Sequence, residues 1–487
     1  MSRARSVALM LLLGIGCGPT LDDPREIEIV NVTVTADESL ILTRPELAAS
    51  KYRKMAESPY TFLRGSFPLY MHDLSTNSWA LEPSDHYADV SPYSIGDAHI
   101  ENFGLLLTGD RTLVFEPNDF DAADRHNYLY EVRRLASSLQ VGARIARTTR
   151  GDDAEDALRP ARELALAYAA RIAAIADGAE RTPVELDGAV VANLVSRGSK
   201  DLAELAELEE LTVVEDERRR LVRGNIDDDD PENVYVDAAP LVAEALPATL
   251  SRYRLTLEDA PPPEFFELKD VVREFGSGIA SRARVRFIAL VEGPSDSLDD
   301  DVLLEVKELG DSMARSVVLE EVAAATVQER VLSATELCWT RPEAQPLWGT
   351  SDLLGFPVQI RLESEAEKGV RVLRLVGQLG TEDALAELGR DLGTALANVH
   401  VGTEEIEPGI VARIRDAVGD ADAFSEEQAQ VAATMAELVE SDHARWVHAL
   451  EVLGPTLGLV PTEADRLRGD AAAVVAESSM PELEEVP

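Results

Sequence analysis

Gly96-Asp97-Ala98-His99-Ile100-Glu101-Asn102-Phe103-Gly104 is the stretch on which the reading of this chain turns. Two apolar runs follow it, Leu105–Leu107 and Thr112–Phe115, around Thr108-Gly109-Asp110-Arg111. Apolar runs on either side of a Gly-Asp turn are the pattern of a β-hairpin. Asn118-Asp119-Phe120-Asp121 comes next, and Tyr130-Glu131-Val132-Arg133-Arg134-Leu135-Ala136 opens a helix. A loop Asp and an Asn five residues later project into one cleft, and the hairpin returns the chain so that a second Asp faces them. Singly, each of these residues is what a turn or a helix cap uses. Their concentration in 26 residues marks a site.

Outward from this segment the organisation is mixed. Residues 18–45 are rich in Pro, Asp, Glu and Thr and read as a tether with a candidate strand over Ile27–Val34; Pro45–Ala56 reads as a helix. After the motif, Asp152–Gly178 is Ala-rich with helical periodicity, and Lys200–Val222 reads as a charged, solvated helix. Asp227–Asp230 lacks the alternating ligands and turn Gly of a calcium loop and reads as a solvated turn. Pro261-Pro262-Pro263 is the clearest punctuation. Beyond it, Val271–Phe275, Val285–Val291, Val302–Lys307, Val358–Leu362 and Val370–Val376 read as strands, with one helix near Arg315–Leu337. Helical texture returns at Asp383 and continues to about Leu453. The fold class is therefore α+β: a large helical region interrupted by a small antiparallel sheet. The predicted divisions are 1–16, 17–45, 46–263, 264–380, 381–470 and an acidic tail, 471–487.

Composition narrows the partners. In 487 residues, 46 Lys and Arg stand against 90 Asp and Glu, a formal charge of −44. Such a surface repels phosphate backbones and anionic lipid, which argues against nucleic-acid binding and polybasic membrane docking but leaves room for a local anion site. Two cysteines exclude a disulfide scaffold. Arg3 and Arg5, an apolar run from Val7 to Ile15 and the ending Gly14-Ile15-Gly16-Cys17 read as a secretory signal peptide over 1–16. Small residues before Cys17 resemble the bacterial lipoprotein signal, which implies acylation of Cys17 and a lipid-anchored envelope protein, with 17–45 as the tether and no other membrane contact. An ordinary signal peptide with an incidental Cys is the alternative. Cys338 reads as a small core residue.

The sequence Asp97, Asn102, hairpin, Asp119-Phe120 resembles the catalytic centre of kinase-like phosphotransferases. The closest likeness is the aminoglycoside and choline kinase branch, whose loop reads Gly-Asp-x-His-x-x-Asn. The resemblance implies Asp97 as the base for the acceptor hydroxyl, Asn102 and Asp119 as magnesium ligands with Asp121 beside them, and a nucleotide such as ATP. The grip on the nucleotide lies later in the chain. Phe275-Gly276-Ser277-Gly278-Ile279-Ala280-Ser281 is a Gly-x-Gly turn between strands, and Leu303-Leu304-Glu305-Val306-Lys307 brings a Lys to the end of the second strand after it. Gly276 and Gly278 allow close backbone approach to phosphates, and Lys307 would reach them. The helix ending at His400 resembles the one that leads into the catalytic loop in those kinases. Joining His400 notionally to Ser91 restores their order, so the resemblance implies a circularly permuted, two-lobed kinase-like fold.

The chain is also similar to the bacterial domain-of-unknown-function 2252 family. Lys54-Met55, Ser58–Gly65, Gly96–Gly104, Asn118–Asp121 and Arg133–Leu139 carry that likeness, with Val306-Lys307-Glu308 and Gly276–Ser281 adding to it. Ser281 stands where a third Gly is expected. Ser333 stands where family members tend to carry a Glu, so Glu329 and Glu336 become the candidate partners of Lys307. Whether the chain is an enzyme is open at this level. A kinase-like binding module of the envelope without turnover is one alternative to phosphotransfer. A di-metal phosphoesterase using His72, His86, His126, Asp97, His99, Asp119 and Asp121 is another.

Overall fold

Asp23 accepts a hydrogen bond from the Arg25 N–H and Pro24 presets the first helical φ, which starts helix α1 (Pro24–Thr43). The segment expected to be a tether is therefore built into the body. Ile29, Val30, Val34 and Ile41 recur at helical spacing and are buried in one cluster with Tyr52, Met55, Phe62 and Trp446. The strand expected over Ile27–Val34 is helix because burial of this stripe outweighs the β-preference of its branched side chains. The computed structural model describes residues 20–76, 89–151, 155–225, 233–310, 326–341 and 345–466. Cys17, His86, Asp227–Asp230 and the acidic tail lie outside them.

Helices α2 (Pro45–Ala56), α3 (Pro59–Gly65) and α4 (Phe67–Thr76) follow, the first as expected. Strand β1 (Tyr93–Ser94) leads into the motif. The predicted hairpin forms from β2 (Phe103–Leu107) and β3 (Leu113–Pro117), and β4 (Asp124–Arg125) returns to pair with β1. Asn127 caps α5 (Tyr128–Arg150), which α6 (Arg159–Ala176) and α7 (Ala189–Glu204) follow. The charged helix expected through Val222 stops at Glu204. Leu205 takes a left-handed φ, a short α8 (Ala206–Glu210) follows, and β5 (Thr212–Glu215) and β6 (Arg218–Leu221) form a hairpin. Its turn residues, Asp216 and Glu217, both have positive φ, the backbone that matches the twist of a two-residue hairpin.

The main sheet begins before the triple proline. Strands β7 (Gly224–Asn225) and β8 (Val234–Asp237) precede α9 (Pro240–Tyr253); β9 (Leu268–Phe275), β10 (Arg286–Val291) and β11 (Val302–Glu308) follow the prolines. Thr326 and Glu329 form a capping box at the start of α10 (Val327–Cys338); the first part of the expected Arg315–Leu337 helix, 315–325, lies outside the described residues. Strands β12 (Gly349–Leu353) and β13 (Phe356–Leu362) complete seven antiparallel strands in the order β12-β13-β11-β10-β9-β8-β7. One face of β10, β11 and β13 is apolar, with Phe287, Ala289, Leu304, Val306, Val358 and Ile360 packed against Leu246, Leu250 and Tyr253 of α9. The strand expected over Val370–Val376 is absent. The chain meets the hairpin at one Gly104–Gly369 bridge and then curls into a 3-10 turn at Val372–Arg374. Helices α11 (Glu382–Val401), α12 (Ile410–Val418) and α13 (Ala421–Leu453) close the helical body around α5 and α6. The chain is an α+β protein.

Lys51 and Asp37 make a 2.6 Å ion pair with both side chains almost fully buried, and Tyr52 donates to the same carboxylate oxygen. This pair joins α1 to α2. Asp37→Ala leaves the Lys51 ammonium buried and unpaired. We expect a loss of about 3–5 kcal/mol, read as a lowered urea midpoint. The same change in a tether would leave the midpoint where it is.

Candidate functional site

The motif loop is set by its neighbours. Gly96 has φ +89°, and a Cβ there would lie 2.0 Å from the Ala122 carbonyl, so only glycine starts the loop. The Glu131 carboxylate accepts the N–H groups of Ile95 (3.3 Å) and Gly96 (2.7 Å) and lies 3.0 Å from His400 Nε2. His400 Nδ1 in turn meets the Tyr168 hydroxyl at 2.8 Å. Ser138 Oγ accepts from the Ile100 N–H. The C-terminal end of α11 thus holds the start of the loop, and Thr403 Oγ1 accepts the Tyr93 N–H at 2.8 Å.

Within the loop, Asp97 Oδ1 takes 2.9 and 2.8 Å contacts from Nε and Nη2 of Arg134. Arg134 also donates to the Leu63 carbonyl, which locks its position. Asn102 Nδ2 donates to the Asp97 carbonyl at 2.9 Å, leaving Oδ1 as its acceptor, and the Asn102 carbonyl accepts the Asn118 N–H. The loop and the Asn118–Asp121 segment are fastened together in this way.

The sheet supplies the other wall. Its polar face follows from the register: Arg286 of β10 and Gln359 of β13 lie opposite Lys307, and Arg361 lies opposite Glu305. Glu305 bridges Arg286 (2.8 Å) and Arg361 (2.7 Å). Lys307 Nζ lies 3.2 Å from Asp119 and 2.8 Å from Asp121. Neither expected partner is involved: Glu329 is spent on the α10 cap, and Glu336 points to solvent. The carboxylates that neutralise Lys307 are the motif's own.

The Gly-x-Gly turn lies beside them. Gly276 (φ +87°) and Gly278 (φ +74°) are both left-handed, whereas Ser281 is not, so a third glycine is not required by backbone geometry. Arg282 ties the turn down through the Gly276 and Gly278 carbonyls and Ser50, and Arg286 donates to Ser277 Oγ at 2.8 Å. Ile279 is buried in the α1–α2–α13 cluster. The turn is a clamped element.

Electrostatics separates the acids. Burial raises Asp97 above the ordinary Asp range despite Arg134. Burial also pushes Asp121 up, the Asp119 charge adding to it and Lys307 opposing. At Asp119 the same burial is overcome by Lys307 and the Asp121 N–H, and its carboxyl sits below the usual value. His99 is held neutral, pushed well down by burial and by the charges of Arg64, Arg134 and Arg371. For Lys307, burial favours the neutral form, but the two Asp charges prevail and keep the ammonium.

Asp97, Asn102, Asp119, Asp121, Gly278 and Lys307 line one cleft of about 190 Å³; Gly276 shapes the turn from behind. Sequence reasoning missed Arg284, Arg286, Arg361 and Arg371, which share it. A signal existed for two of them: Arg286 and Arg361, like Glu305 and Lys307, are lone charges at alternating positions of apolar strands. With Lys51 and Arg64 the lining carries seven Lys and Arg against four carboxylates, on a chain of charge −44. The phosphoesterase residues converge only in part. Asp97, His99, Asp119 and Asp121 line the cleft, whereas His72 pairs with Glu28 and His126 is buried against Tyr130. Among the described residues no group of three His, Cys, Asp or Glu is placed to hold a metal.

Fold and site together define a class: an α+β protein whose cation-rich cleft, between a seven-stranded sheet and a helical body, holds a small set of oxygen donors. Residues 43–449 match the family model described as uncharacterized protein conserved in bacteria (DUF2252), and the chain belongs to that family. No curated protein and no solved structure matches it.

The two arginines hold the Glu305 carboxyl down at about 2 against burial, from an ordinary 4.5. A depressed folded-state value means that its stabilisation is complete above about 4.5 and is lost as pH falls toward 2. Glu305→Gln should therefore remove about 3–5 kcal/mol at neutral pH. Its melting temperature should also decline less steeply than the wild type's as pH is lowered below 4.5, which a melting series across that range reads.

Proposed function

We propose that this protein is a magnesium-dependent, kinase-like phosphotransferase in circularly permuted order. One observation carries the reading: Lys307, on the second strand after the Gly-x-Gly turn, contacts Asp119 and Asp121, 188 and 186 residues earlier, in the cleft that holds Asp97 and Asn102. The seam supports the permutation, since Thr403 accepts the Tyr93 N–H directly and His400 reaches the Ile95 and Gly96 amides through Glu131.

The donor set suits magnesium. Two carboxylates and one amide oxygen are hard ligands, and magnesium completes such a set with phosphate oxygens and water. Asp121 Oδ1 is buried with no hydrogen-bond partner among the described residues, as a carboxylate reserved for a cation would be. Asn102, Asp119 and Asp121 would hold the ion, which when bound neutralises the phosphate charge. Asp97 is held by Arg134 on Oδ1, leaving Oδ2 to receive the proton of an acceptor hydroxyl. The hydroxyl oxygen bonds to the terminal phosphorus, the P–O bond to the nucleoside diphosphate breaks, and the hydroxyl proton passes to Asp97. Lys307 exchanges its carboxylate contacts for phosphate oxygens as the nucleotide enters, under the Gly276–Gly278 turn.

A binding module of the same fold without turnover is the second reading. Among the described residues no helix carboxylate lies beside Lys307, which favours it, because kinases use such a pair to fix the Lys in its working position. Titration calorimetry separates the two. The wild-type domain should bind ATP only with Mg²⁺, Asp119→Asn should lose at least about a hundredfold, and Asp97→Asn should bind but not transfer. No Mg²⁺-dependent binding by the wild type overturns both readings; binding without transfer to any hydroxyl acceptor leaves the module.

The same reading places the domain outside the cytoplasm, through the 1–16 signal and an acylated Cys17. Among the described residues no helix is long and apolar enough to cross a membrane. Only six residues separate Cys17 from α1, a reach of at most about 20 Å, so the body would lie against the membrane rather than on a long tether. Intact-mass measurement of membrane-fraction protein should show a diacylated or triacylated Cys17 at the N-terminus; an unmodified, soluble N-terminus refutes the anchor.

A further inference from the structure

Of the seven cations of the cleft, Arg286 and Arg361 are held by Glu305 and Lys51 by Asp37, and the other four fall into two groups. Lys307 and Arg284 lie at the hairpin acids: Lys307 touches both, and the charge of Arg284 acts on Asp121. Arg64 and Arg371 lie instead at the motif loop. Arg64, from α3, meets Glu101 at 2.7 Å, Arg371 approaches the same carboxylate at 3.7 Å, and the charge of Arg64 acts on Asp97. Glu101 also accepts the Val372 N–H at 2.8 Å, so one carboxylate serves two guanidiniums and a backbone amide. The group keeps a net positive charge. Arg64 Nε has no partner among the described residues, and neither does Nδ1 of His99, which lines the cleft and is 3% exposed.

Phosphoryl transfer as proposed above explains Lys307 and the acids it touches. It gives no task to two guanidiniums on the Asp97 side, where the acceptor's hydroxyl must sit. A cationic acceptor, an amine or a quaternary ammonium, would need surplus acid there, and both acids present are already engaged, Glu101 by Arg64 and Arg371 and Asp97 by Arg134. We propose that Arg64 and Arg371 form an anion subsite for the acceptor, which is a hydroxyl compound bearing a phosphate or carboxylate group. Guanidiniums suit both, because their paired N–H donors match two oxygens at once. The acceptor's acidic group docks on Arg64 and Arg371, and its hydroxyl lies at Asp97 Oδ2. The bond changes are those given above, with a nucleoside triphosphate as donor: oxygen to phosphorus forms, the bond to the departing diphosphate breaks, and Asp97 takes the proton. This inference rests on the phosphotransferase reading.

Arg371 is 53% exposed and its side chain makes, among the described residues, only the long ion-pair contact to Glu101, so its replacement spares the fold. Calorimetric titration of the mature protein should show binding of glycerol 3-phosphate or glycerate and none of glycerol or choline. Arg371→Gln should weaken the anionic probe about tenfold or more, Arg371→Lys should recover part of that loss, and Mg²⁺-ATP affinity should stay within about twofold in both. Preference between the two probes tells phosphate from carboxylate. Absence of anion binding by the wild type, or binding indifferent to Arg371→Gln, overturns the subsite even if Mg²⁺-ATP binds normally. Competition between the probe and Mg²⁺-ATP overturns it too, because the arginines then serve the nucleotide. Should the probes bind while Mg²⁺-ATP does not, the phosphotransferase reading fails and the acceptor role fails with it.

Discussion

The ammonium of Lys307 is where the two halves of this molecule meet electrically. It stands on the polar face of the sheet, 4% exposed, and its counter-charges come from the turn after a hairpin that belongs to the helical body. A buried ammonium alone would lose its proton or unfold its surroundings. Two neighbouring buried carboxylates alone would repel and share a proton. Each side is tenable only because the other is present. The sheet's position over the motif is therefore fixed by charge as well as by packing. The same dependence makes the cleft responsive: a divalent cation offered to Asp119 and Asp121 competes with Lys307, and a phosphate offered to Lys307 releases the acids. Cation and anion then enter more easily together than either does alone.

A second constraint positions the loop from behind. Glu131 is fully buried and accepts from two loop amides and His400, and burial works against both of its own charge and that of His400. A group this costly to desolvate is kept satisfied from every side. It spans three distant stretches of the chain, around residues 95, 131 and 400, which no local interaction could hold in register. Arg134 does the parallel task one turn later on α5, fixing Asp97 through Nε and Nη2 while Nη2 also donates to the Leu63 carbonyl of α3. The helix that opens after the motif thus carries the residues that aim the motif.

The hairpin and the strands β9, β10, β11 and β13 were legible because their information is local: period-two apolar runs bounded by turn residues. Other elements were hidden for physical reasons. Helix α1 is rich in β-branched residues, and only the distant Trp446 and Phe62 that receive its buried stripe make it a helix. The β5–β6 hairpin sits in a charge-rich stretch whose composition favours helix; its turn depends on two non-glycine residues in left-handed conformations, which composition does not signal. The sheet's true start at Gly224 was concealed because β7 and β8 are short and separated from β9 by a helix and three prolines. In the site, the motif acids could be read in order along the chain. Their closeness to Lys307 could be expected only by analogy, and the candidate partners Glu329 and Glu336, taken from the helix position at which Ser333 stands for the family's Glu, were displaced by Asp119 and Asp121.

The acidity of the chain and the basicity of its cleft are compatible because they act over different distances. At physiological ionic strength surface charges are screened beyond about 8 Å, so most of the 90 acids act on a ligand in the cleft only weakly. Inside it, low-dielectric walls and fixed guanidiniums set the field. Arg286 and Arg361 share Glu305 and have Glu274 and Glu367 at 4.0 and 3.7 Å, and Lys307 has the hairpin acids, so the surplus positive charge of the lining falls to Arg64, Arg371 and Arg284. Those three surround the space between Asp97 and Asp121. On the proposed reading, an acidic exterior with a basic, partly compensated interior would favour ligands that present their negative charge at one end and enter by that end. A chain-like polyanion would have to lie along the acidic surface, where like charge opposes it.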